Sequence, residues 1–125
     1  MESMYKVSCN NLRSVATAVH RFMTNKLLVQ PECTIWPGSG TPTTIVSNGT
    51  TFITEQDLFR RIMRAASASI SCVASTDQAD TRRVVLTYVP GLDFMVLNFP
   101  QSNGQLTNAE KRIVEDMGRY NEHYS

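Results

Sequence analysis

Cys9, Cys33, Cys72 and His20 are the side chains that could support nucleophilic chemistry, because a thiolate at neutral pH needs a nearby base or positive charge. Their surroundings do not supply one. Cys33 falls in an apolar run and Cys72 leads a helix-forming stretch into another, contexts in which cysteine packs as a small hydrophobe. His20 adjoins the apolar face of a helical pattern, where imidazole serves as a packing residue. No CxxC, HxxxH or HxxC spacing offers a zinc site. Gly38-Ser39-Gly40 lacks the Lys and the Ser or Thr of a phosphate loop, and Pro42 removes a donor N–H. Asp77 and Asp80 lie in a polar stretch where carboxylates are solvated. The residues therefore predict no catalytic set, no metal and no cofactor.

Basic residues form a different pattern. Lys6, Arg13, Arg21 and Lys26 occur in a segment, 3–31, that contains no acid, and Arg60, Arg61 and Arg64 form a second cluster. Arg60 and Arg64 are like charges one helical turn apart, an arrangement that an anion would relieve. If Arg13, Arg21, Arg60, Arg61 and Arg64 share a face, their guanidinium forks could hold RNA phosphates. The alternative is a solvated face in which Asp57 pairs with Arg61. Protein binding has its own candidates: Trp36 beside a Pro-Gly loop, and Tyr120 and Tyr124 near the end of the chain, are large amphipathic side chains of the type that anchors interfaces. Small residues over 65–69 would permit close approach of a symmetry mate, and six methionines add adaptable apolar surface.

The elements that position these residues follow from periodicity. Asn10 or Asn11 caps a first helix whose stripe is Leu12, Val15, Ala16, Val19, Phe22, Met23 and Leu27, ending by Pro31. Cys33 to Trp36 is a short apolar run, closed by the loop from Pro37 to Pro42. Thr43–Ser47 and Thr50–Thr54 flank Asn48-Gly49 as a hairpin. Thr54 caps a second helix with Leu58, Phe59, Ile62, Met63, Ala66 and Ile70 inward, fraying before Cys72. Residues 74–82 form a polar connection. Arg83 to Pro100 places two apolar runs around Pro90-Gly91, a hairpin with so little polar alternation that both faces should be covered by helices or a second chain. Thr107 and Glu110 open a third helix with a full capping box, and its stripe continues through Ile113, Val114, Met117 and Tyr120 to Tyr124.

The resulting expectation is one α+β domain over 1–125: a small antiparallel sheet of four to five strands in two hairpins, packed with three amphipathic helices in the order α-β-β-α-β-β-α. The 125 residues, 42% hydrophobic and 18% charged, suffice for one core, and the net charge of +1 gives no bulk field toward nucleic acid or membrane. No run approaches the roughly 20 apolar residues of a membrane span. Three widely spaced cysteines fit reduced thiols in the cytoplasm or nucleus. The function expected is a non-catalytic interaction module, an adaptor or assembly subunit that dimerises through its sheet or a helix. An RNA-binding protein using the arginine face is the alternative.

Overall fold

The computed structural model describes residues 3–46, 54–65, 68–79, 81–118 and the backbone of 123–124. It is an α+β fold, one antiparallel sheet with three helices. In chain order the elements are β1 (Met4–Ser8), α1 (Leu12–Thr24), β2 (Val29–Trp36), β3 (Thr43–Val46), α2 (Glu55–Arg64), β4 (Ser69–Ser75), β5 (Arg83–Tyr88), β6 (Phe94–Asn98), α3 (Asn108–Met117) and the two-residue β7 (His123–Tyr124). Across the sheet the strands run β3-β2-β4-β5-β6-β1-β7.

The sheet exceeds the expected four to five strands because β1 and β4 draw their stability from distant partners. Met4–Ser8 pairs with β6 across more than 80 residues of chain, and Ser69–Ser75 lies between β2 and β5. Helix α2 ends at Arg64, where the Ala65 N–H reaches the Arg61 carbonyl at 3.2 Å. Ile70, assigned above to the helical stripe, is instead a buried β4 residue opposite Tyr88. Helix α3 stops at Gly118, whose φ of +72° closes the last turn in the left-handed conformation that glycine adopts cheaply. Tyr120 lies outside the described residues, and Tyr124 belongs by its backbone to a strand beside β1, not to a helix. The Asn48-Gly49 turn and its second strand also lie outside them; Thr43–Val46 pairs with β2. Strand β2 begins earlier than its apolar run suggested. It passes through Pro31 at a register shift between Val29 and Glu32, with Gln30 at φ +53°, the irregularity a strand proline requires.

The central ribbon forms as expected. Leu86 faces Leu97 and Thr87 faces Val96, and Leu92 N–H donates to the Val89 carbonyl at 3.3 Å across Pro90-Gly91. Gly91, at φ +95°, supplies the positive angle that this turn needs at its third position. Cover is the point of difference. Directly paired residues share a face, and Ile35, Ile70, Tyr88, Cys33, Cys72, Leu86, Leu97, Val84, Met95 and Val7 are all buried on one face. They meet Val15, Val19 and Phe22 of α1, Leu58 and Ile62 of α2, and Ile113 and Met117 of α3 in one core. Val73, Val85, Thr87, Phe94 and Val96, on the opposite face, are only half-buried. The helices cover one face of the ribbon, not both.

Two features lock the covered side. Cys33 and Cys72 sit directly opposite each other on β2 and β4 and form a disulfide, both fully buried. This corrects the expectation of three reduced thiols: strand pairing brings together cysteines that are 39 residues apart in sequence. Glu110, also fully buried, closes the capping box through the Thr107 N–H at 2.8 Å, and the same carboxylate oxygen accepts from Ser102 Oγ and Arg82 Nη2, each at 2.7 Å. Burial pushes the Glu110 carboxyl up, but the hydrogen bonds from Thr107, Ser102 and Arg82 and the guanidinium charge outweigh it and hold its pKa below the ordinary glutamate value. One residue thereby fastens α3 to the start of β5.

Candidate interaction surface

Because side chains alternate along a strand, the residues that interleave the core residues all project from the second face. Register arranges them in three rows crossing the sheet. Nearest the Pro90-Gly91 turn lies Trp36 opposite Ser69, with Ser8 opposite Phe94 on the far strands and Val89 continuing β5 between them. The middle row is Thr34, Ser71, Thr87, Val96 and Lys6, and the third is Glu32, Val73, Val85, Asn98 and Met4. Valines, threonines and serines dominate, with one acid on β2 and one base on β1.

The turn end is the most apolar part. Trp36 is 51% exposed, Val89 47% and Leu92 43%, and Phe94 lies beside them with the Lys6 ammonium 4.6 Å from its ring centre. Trp36, singled out from the sequence, is thus at the margin of a broader apolar surface. Val73, Val85, Phe94, Val96, Lys6 and Glu32 were not identified with it. Their signal was present as strict alternation with the core residues of β4 to β6, but it becomes readable only when register shows that the alternate residues align.

The cysteines considered as nucleophiles have defined states in the structure. The Cys72 sulfur is bonded to Cys33. The Cys9 thiol is buried, and burial together with the Asp93 carboxylate pushes its pKa up to about 11, which keeps it protonated. No three His, Cys, Asp or Glu side chains converge on a metal position among the described residues, and no helix there is long and apolar enough to cross a membrane.

The five arginines all lie on α1 and α2 of the helical layer, and Arg13 and Arg21 share one cleft of about 330 Å³ with Ser14, Thr17 and Met117. Arg13 stacks on Phe59, 3.8 Å from the ring centre, and donates to Gln56 at 3.1 Å. Arg60 pairs with Asp57 at 3.6 Å, so Asp57 is held by Arg60 rather than by Arg61 as expected. Arg61 and Arg64 line a cleft of about 250 Å³ with Ile35, Pro37 and Thr43. Arg21 faces α3 across a cleft of about 540 Å³ whose walls mix Lys26 and Arg112 with Glu115 and Asp116. That cleft mixes both signs, whereas the clefts that hold Arg13 with Arg21 and Arg61 with Arg64 have no acid in their walls.

No protein-family model fits the chain, and neither the curated proteins nor the solved structures contain a match to it. The uncovered sheet face is consequently the feature on which a functional reading rests.

Proposed function

We propose that the protein is a non-catalytic interaction module, an adaptor or assembly subunit, that self-associates through the second face of its sheet. The observation that carries the reading is the apolar patch of Trp36, Val89, Leu92 and Phe94 running onto Val96, Val85 and Val73 on a face that the helices leave uncovered. Apolar surface of this extent in contact with water costs free energy that burial against a second surface recovers, at roughly 25 cal/mol per Å². Six strands at about 4.8 Å and about five residues of height give roughly 500 Å² per copy, and about 1,000 Å² for a pair, which reaches the lower bound of a specific interface.

Sedimentation velocity over a range of protein concentrations tests this. The wild type should move from 14.0 kDa toward twice that mass as concentration rises, and Trp36→Asp should shift the transition to at least about tenfold higher concentration. A wild type that stays monomeric throughout would sink the reading. RNA binding is the second reading: Arg13 and Arg21 share one cleft and Arg61 and Arg64 another, while Asp57 at Arg60 and Glu115 and Asp116 beyond Arg21 place carboxylates among them and lend it less support than the open face lends self-association. Electrophoretic mobility with RNA at two salt concentrations decides it, since a steep salt-dependent shift would restore it.

A further inference from the structure

Resting on the self-association reading, we infer that the occupant of the open face is a second copy placed by a twofold axis that lies over β5 and runs along the strands. Such an axis exchanges β2 with the partner copy's β1, and β4 with its β6, because β5 is the middle of the β2-β4-β5-β6-β1 series. Three independent features of the face agree with it. In the row at the turn, Trp36 comes to lie over the partner copy's Ser8, and Phe94 over its Ser69, so each aromatic ring meets a small side chain and the axis itself carries Val89. In the third row Val85 meets Val85 on the axis.

The third feature is charge. Glu32 on β2 approaches Lys6 of the partner copy, one row away along the strand and within reach of two long side chains, and symmetry makes the pair twice. An axis running across the strands would instead set β2 over β2 and β1 over β1, leaving Glu32 and the partner copy's Lys6 at opposite ends of the five-strand series, where they cannot pair. Placed over the middle row, it would also set Lys6 against Lys6, a like-charge contact that selects against it. Two sheets stacked with their strands nearly parallel also match the aligned packing that twisted sheets prefer.

Charge reversal followed by mixing tests the arrangement. Glu32→Lys alone and Lys6→Glu alone should each weaken self-association by about tenfold, while an equimolar mixture of the two, analysed by native mass spectrometry, should form mostly heterodimer. In that heterodimer one contact retains Glu32 against Lys6 and the other pairs the two introduced charges. The double variant Lys6→Glu/Glu32→Lys should associate as the wild type does, and it remains decisive if a single variant fails to fold. Single variants that associate like the wild type, a mixture that assorts at random, or a double variant that stays monomeric would overturn the axis. If Val85→Arg still blocks association in those cases, the open face remains the interface and only the axis is wrong. A wild type that never associates removes the self-association reading itself.

Discussion

Leu86 and Val85 are neighbours on β5, yet one is fully buried among helices and the other is half-exposed on a face with none among the described residues. The same alternation repeats on β4, where Cys72 and Val73 point opposite ways, and on β6, where Leu97 and Val96 do. On the covered side the register assembles large aliphatic and aromatic groups, a disulfide and a buried ion pair. Across the sheet it assembles β-branched and small hydroxyl side chains, with aromatic rings gathered at one end. The first side specifies the fold, because its side chains have no alternative to the helices. The second can pack against something else without disturbing that core, and this independence is what a binding face requires.

The comparison can be broken from its covered side first. Glu110→Ala should cost about 3–5 kcal/mol in urea unfolding, since it leaves the Arg82 guanidinium without the carboxylate that fills its site. Asp57→Ala, which removes an exposed pair, should cost less than about 1 kcal/mol. The Glu110 contribution also has a pH signature. With its folded pKa depressed, it is present in full above the unfolded glutamate value of about 4.3 and is lost as pH falls through the folded value. Glu110→Gln should flatten that part of the stability profile; a profile identical to wild type would show that the carboxylate does not charge-pair as described.

Reducing Cys33–Cys72 comes next. Opening a loop of 39 residues should lower stability by about 4 kcal/mol on the chain-entropy account. Alkylation of denatured, unreduced protein should modify Cys9 alone, and three modified thiols would mean that the bond is absent in the native molecule. Adjacent substitutions on β5 then sharpen the contrast. Leu86→Ala should cost about 3 kcal/mol with a cavity in the core, whereas Val85→Thr should change monomer stability by less than about 0.5 kcal/mol and still weaken self-association. Equal losses at the two positions would mean that the faces do not differ as described.

Local chemistry in the sequence reveals much of this design. The Asn11, Thr54 and Thr107 caps, the three amphipathic helices and the turn at Pro90-Gly91 are readable because each depends on residues a few positions apart. Strand β4 is not, since Ser69 and Ser71 look like a fraying helix until β2 and β5 are known to flank them. Neither is the disulfide, whose sulfurs meet only through the pairing of β2 with β4. Trp36 stands out by its type alone, but Lys6, Glu32 and the valines of the open face acquire meaning from register, which no short window of sequence contains. The expectation that the central ribbon is covered twice came from its scarcity of polar residues; valine and threonine suit a half-buried sheet face as well as a core.

Protection of individual valine methyls from a soluble paramagnetic agent, followed by NMR over a dilution series, addresses the central claim most directly. The methyls of Val85 and Val96 should be shielded at high protein concentration and become fully accessible on dilution, while those of buried Val84 stay shielded throughout. Val85 and Val96 methyls that are equally accessible at every concentration would contradict the closing of this face by a second copy.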